Sequence, residues 1–75
     1  MESLLKILNE LHPEVDFENT SDLVDDGILD SLDIVTLITE IHEAYDVTIP
    51  AEEIIPENFN SVEDIMALIE RLDEV

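Results

Sequence analysis

The chain is 75 residues long, which is enough for one small domain, 1–75, and no more. It has no cysteine, so disulfides, zinc–thiolate sites and any thiol chemistry of the protein's own are excluded. Asp and Glu number 21 against 2 for Lys and Arg, a formal net charge of -19, so nucleic acid and anionic lipid should be repelled and partners should be basic. Disorder is not expected, because hydrophobic residues make up 45% of the chain and fall in periodic blocks. No apolar run is long enough to span a bilayer, and no basic segment precedes an apolar stretch near Met1; a cytoplasmic protein without membrane insertion is the expectation.

Leu4, Ile7, Leu8 and Leu11 make one helical stripe, and Pro13 closes it, which predicts a first helix over 2–12. Residues 13–29 have no sustained period. Phe17, Leu23, Val24, Ile28 and Leu29 are scattered there among acidic and small residues and are expected to cover the core between helices. Gly27, the single glycine, suits a left-handed turn just before the next helix.

The second helix opens at Asp30 or Ser31 and runs to Tyr45. Asp30 is a good N-cap, and Asp33 falls at the third helical position, where an acid suits the helix dipole. At 100° per residue Ile34, Leu37, Ile38, Ile41 and Tyr45 share a buried stripe. Leu32 points nearly opposite with Thr36, Thr39 and Glu43, Val35 also stays off the buried stripe, and Asp33 and Glu40 flank the outer face. A short third helix starts with Pro50 near its first position and Glu52 and Glu53 in its first turn, and Pro56 limits it to about a turn and a half. The last helix begins at Ser61, with Ser61 and Asp64 as a near capping box and Val62, Ile65, Leu68, Ile69 and Leu72 as its apolar face. The fold expected is all-α: a four-helix bundle with a long first loop and a short third helix.

The order of elements, with Gly27-Ile28-Leu29-Asp30-Ser31-Leu32 opening the main helix, resembles the acyl and peptidyl carrier protein family. Asp-Ser-Leu at 30–32 matches that family's attachment motif. Tyr45-Asp46-Val47-Thr48-Ile49-Pro50 resembles the segment joining its second and third helices, and Asn60-Ser61-Val62 the approach to its fourth. The resemblance implies 4'-phosphopantetheine, taken from coenzyme A and linked by a phosphodiester to Ser31, with Asp30 and Leu32 flanking the attachment. It implies a carrier, not an enzyme, holding an acyl or aminoacyl group as a thioester. Expected partners are a phosphopantetheinyl transferase and the loading and transfer enzymes of fatty-acid, peptide or polyketide biosynthesis. The expected docking face is Leu32, Asp33, Val35, Thr36, Thr39, Glu40 and Glu43, set against basic, partly apolar enzyme surfaces, with the carrier itself a monomer. Leu29 stands before Asp30-Ser31, where fatty-acid carriers commonly have a small residue; that departure looks more like stand-alone peptidyl, D-alanyl or specialised acyl carriers.

Other readings compete. Ser31 on its own could be a plain helix cap, but Asp30 already suits that role. Asp22, Asp26, Gly27 and Asp33 nearly fit a calcium loop, yet Val24 stands where a ligand oxygen is needed and no helix leads in, so no metal site is expected. A serine hydrolase fails because His42 lies roughly 16 Å along the same helix from Ser31 and His12 ends another helix. The alternative from a different class is an acidic helical adaptor that binds partners and carries nothing.

Overall fold

The computed structural model describes residues 2–73. Its elements are α1 (Glu2–Leu11), α2 (Ser31–Tyr45), a single 3-10 turn at Ala51–Glu53, α3 (Pro56–Phe59) and α4 (Val62–Asp73), with no strand among the described residues. This is the four-helix bundle that the hydrophobic periods imply. Helix α1 packs on α2 and α4, and α3 packs on α4.

Each long helix delivers the stripe its period requires. Leu4, Ile7 and Leu8 of α1, Leu37 and Ile41 of α2, and Val62, Ile65, Leu68 and Ile69 of α4 are buried in one core. Ile34, Ile38 and Tyr45 complete the α2 stripe from half-buried positions. Tyr45 also reaches across to α1, where its hydroxyl oxygen accepts from the Leu4 N–H at 3.0 Å.

The long first loop is an ordered cover. Phe17, Leu23 and Leu29 drop into the core, and Val24 and Ile28 pack against it. Non-helical hydrogen bonds hold it. The Leu23 N–H donates to the Asn60 carbonyl oxygen at 2.9 Å, and the Leu29 N–H donates to the Leu23 carbonyl oxygen at 2.9 Å. The Asn60 side-chain oxygen accepts from the Val24 and Asp25 N–H groups at 3.0 and 3.1 Å. Its amide nitrogen donates to the Asp25 carboxylate at 3.2 Å. Gly27 has φ +75, the left-handed turn expected of it, and Asp22 and Asp46 adopt the same region at φ 55 and 57.

The third helix departs from expectation. Pro50 precedes a 3-10 turn of three residues and heads no α-helix. Pro56 does not end a helix but begins one, at the first position of α3. Both placements follow from proline chemistry: its missing N–H costs nothing in a first turn, and it holds Ile55 extended (φ -128, ψ 152). Asn58 ties the two pieces together, donating from its side chain to the Glu53 carbonyl oxygen at 2.8 Å. Arg71 of α4 closes a two-nitrogen contact on the Glu53 carboxylate, at 2.9 and 3.3 Å.

With a net charge of -19 on so small a body, like charges are closer in the folded state than in the expanded chain, and repulsion opposes folding. The thermal midpoint is therefore expected to rise with salt as the Debye length falls from about 30 Å at 0.01 M to about 10 Å at 0.1 M. Magnesium should act more steeply per mole than sodium, by bridging carboxylates. A midpoint flat or falling in both titrations, followed by circular dichroism, would show that the carboxylates are spaced well enough for repulsion not to matter.

Candidate functional site

The site is built around the start of α2. Asp30 is extended, at φ -97 and ψ -177, and caps the helix: its carboxylate accepts from the Asp33 N–H at 2.9 Å. The Asp33 carboxylate accepts in return from the Asp30 N–H at 3.3 Å, a capping box formed by two aspartates. Ser31 is thus the first residue of the helix and not its cap, and it is exposed. Its hydroxyl has no assigned partner among the described residues, and neither have the backbone N–H groups of Ser31 and Leu32. A free hydroxyl beside two free N–H donors, at the positive end of a fifteen-residue helix, suits a phosphodiester. On these grounds the residues fit the phosphopantetheine group.

Leu32 and Val35 stand out beside Ser31, 75% and 61% exposed. Thr36, Thr39 and Glu43 are exposed with them, and Glu40 is half-buried at the margin. One member of the expected docking face is placed differently. Asp33 does not offer its carboxylate to the outside but turns it toward α1, where Oδ2 lies 2.7 Å from His12 Nε2. His12 Nδ1 lies 3.3 Å from the Glu14 carboxylate. The Asp33 contact is the main reason that His12 holds its proton above the ordinary histidine value, with burial opposing and Glu14 assisting. Burial alone would raise the Asp33 carboxyl, but the His12 hydrogen bond and the Asp30 backbone N–H outweigh it and hold Asp33 below the usual carboxylate range.

His42 lies far from Ser31 on α2 and faces Thr48, with Nδ1 3.4 Å from its hydroxyl oxygen. Neither histidine is therefore a base for Ser31. The Asp33 carboxylate is taken up by His12. Among the described residues no three of His, Asp and Glu are grouped as metal ligands would be. No helix among them is long and apolar enough to cross a membrane. Further along α2 on the side that carries Ser31, Ile38, Thr39, His42, Thr48 and Ile49 line an open groove of about 310 Å³.

The family described as phosphopantetheine attachment site matches residues 1–69. The chain is 37% identical over 70 residues to a D-alanyl carrier protein of Streptococcus mutans, covering 92% of this chain and 89% of that one. It is 36% identical over 67 residues to the D-alanyl carrier protein of Streptococcus suis, covering 88% and 85%. It is 37% identical over 73 residues to that of Listeria welshimeri, covering 95% and 94%. Carrier function displaces the alternative of an adaptor that carries nothing. Carriers of this kind work with a phosphopantetheinyl transferase and with loading and transfer enzymes. The chain belongs to the phosphopantetheine attachment-site family, and it is a carrier protein rather than an enzyme, with 4'-phosphopantetheine as its covalent cofactor.

Proposed function

We propose that Ser31 is the attachment residue and that the group carried is D-alanine, held as a thioester and presented to enzymes that dock on the exposed face of α2. The observation that carries the cargo assignment is the identity to D-alanyl carrier proteins along nearly the whole chain. The relatives named above are D-alanyl carriers, which speaks against the fatty-acid and polyketide routes. Leu29 fits this reading. It is 1% exposed and packs in the core, filling a place where fatty-acid carriers commonly keep a small residue.

The bound arm supplies the thiol that a chain without cysteine lacks. The chain's own residues do the rest. Asp30 closes the cap, which leaves the Ser31 hydroxyl without a structural duty. The first-turn N–H groups and the helix dipole offset the charge of a phosphate on an acidic protein. Leu32 and Val35 give an apolar contact at the attachment point, and Glu40 and Glu43 give the charge that draws in basic partner surfaces. This reading takes the carrier as a cytoplasmic monomer, with proteins rather than nucleic acid as its partners.

A thioester forms from a free carboxylate only with activation, so the cargo test uses an ATP-dependent D-alanine-activating ligase. The arm-bearing protein should gain one alanyl group from D-alanine, removable by hydroxylamine, and far less from L-alanine. Preferential loading of a fatty acid by an acyl-activating ligase, with none of D-alanine, would reject the cargo.

The docking face has its own test. Glu40→Lys with Glu43→Lys should slow arm transfer several-fold at low salt and leave helicity intact. Rim charges act mainly on association rate, so the difference should shrink as salt rises. Equal rates for parent and variant at low salt would reduce the two glutamates to a solvated face.

A further inference from the structure

The contact between His12 and Asp33 has no part in the carrier chemistry above, yet it ends two residues from Ser31. His12 directly follows α1, and Asp33 is in the first turn of α2. The bond joins residues 21 apart in sequence and sits where α1 and α2 meet. Asp33 is doubly engaged. The same Oδ2 that meets His12 also accepts the Asp30 N–H, and the Asp33 N–H donates to Asp30. His12 is thereby linked through one carboxylate to both halves of the capping box that shapes the turn carrying Ser31.

We infer that His12 is a positioning residue for the attachment serine: by holding Asp33 it fixes the first turn of α2 in the geometry that presents Ser31 to the transferase. The inference rests on the assignment of Ser31 as the attachment residue.

The chemistry of the ring makes this hold dependent on protonation. Both ring nitrogens face carboxylate oxygens, Nε2 at 2.7 Å from Asp33 and Nδ1 at 3.3 Å from Glu14. Ionised carboxylates only accept, so both bonds form together only when both nitrogens carry hydrogen, that is, in the imidazolium. The neutral ring keeps at most one of them and loses its charge. The charged groups that bear on the ring are Asp33 from α2 and Glu14 from the segment after α1.

The sign follows from the shifts. The raised His12 value means that its contribution is complete below the unfolded histidine value of about 6.5 and is lost as pH rises through the folded value. The lowered Asp33 value means that its contribution is complete above the unfolded carboxylate value and is lost as pH falls through the folded one. The pair is therefore closed in mild acid and loosens as pH rises through the folded His12 value. Asp33 and His12 are both partly exposed, with side chains 20% and 26% accessible, so the effect is a modest one.

The test compares the parent carrier with His12→Gln. Glutamine keeps an N–H donor for Asp33 and does not titrate. Arm transfer from coenzyme A is followed by intact mass from about pH 5.5 to 8.5, and the parent rate is divided by the variant rate at each pH, which cancels the transferase's own pH dependence. The ratio is expected to fall about two- to fivefold as pH rises through the His12 titration, the size of a partly exposed ion pair. In parallel, the backbone amide resonances of Ser31 and Leu32 should follow the His12 ring in the parent and stay still in the variant. A ratio constant across the range overturns the inference. If the parent accepts no arm at any pH, the Ser31 assignment fails instead, and the amide resonances alone decide whether His12 shapes that turn. If His12→Gln does not fold, the parent's own amide titration decides: amides of Ser31 and Leu32 that ignore the ring overturn it.

Discussion

Ser31→Ala is expected to take up no phosphopantetheine at all, while melting close to the parent. The two halves of this result have separate causes. Loss of modification follows from loss of the only exposed hydroxyl that opens α2, since no other group there can form the phosphodiester. Ser3, Ser21 and Ser61 are not substitutes. Ser61 already serves α4, its Oγ accepting from the Asp64 N–H at 3.0 Å. Ser3 lies within α1, and Ser21 lies in the loop with no long helix beginning beside it. Retention of stability follows from the cap. Truncating a capping serine ordinarily costs about 1 kcal/mol, but here Asp30 and Asp33 form the capping box and Ser31 stands outside it. Intact mass after incubation with coenzyme A and a broad transferase checks the first half, and a thermal melt checks the second. An Ala variant that gains the arm would remove Ser31 from the chemistry. One that unfolds would make Ser31 a structural residue after all.

Phe59→Ala is expected to be the most damaging single change to the fold. Phe59 is fully buried, the one aromatic side chain that α3 contributes to the core. Removing a buried phenyl ring costs about 3–5 kcal/mol. A domain of this length is stable by only about 4–11 kcal/mol, at ordinary per-residue values. Its midpoint should thus fall by more than about 12 °C, at about 4 °C or more per kcal/mol for a small domain. The damage should also reach the proposed attachment site. Asn60, the next residue, anchors Leu23, and Leu23 anchors Leu29, which leads directly into Asp30 and Ser31. Loosening α3 therefore frees the loop that ends at the attachment turn, and arm transfer should drop at temperatures where the variant is still largely helical. Phe59→Leu, which keeps most of the volume, should lose much less of both. Equal midpoints for Phe59→Ala and the parent would mean that α3 does not anchor the loop.

The helices with a long apolar period were legible in the sequence. Leu4, Ile7 and Leu8, the stripe from Ile34 to Tyr45, and Val62 to Leu72 repeat often enough for the period to fix both the helix and its buried face. The middle segment was not, because its signals are local and cut both ways. Pro50 and Pro56 each suit the first turn of a helix and the end of one, and five residues between them are too few to show a period. At the proposed site, the Asp30 cap and the place of Ser31 at the opening of α2 were legible because everything needed lies within four consecutive residues. The outer position of Leu32 and Val35 followed from rotation alone.

Two features had no local signal. His12 and Asp33 are 21 residues apart, and their pairing depends on how α1 and α2 are docked. An acid at the third helical position reads as a dipole partner from sequence, which hides its second role. A histidine just after a helix, facing the acidic start of the next, is the pattern that could have raised the question. Asn60 likewise reads as part of the approach to α4, and only the folded chain shows it holding Val24 and Asp25.

The assignment of Ser31 is tested most directly by locating the arm. The parent protein, modified with coenzyme A and loaded with D-alanine, would be cut at its glutamates alone, and the peptides fragmented. One peptide, containing Leu29 to Leu32, should carry both phosphopantetheine and alanine, with the phosphodiester on Ser31. Hydroxylamine should remove the alanine and leave the arm. An arm found on Ser3, Ser21 or Ser61, or alanine retained after hydroxylamine, would contradict the account.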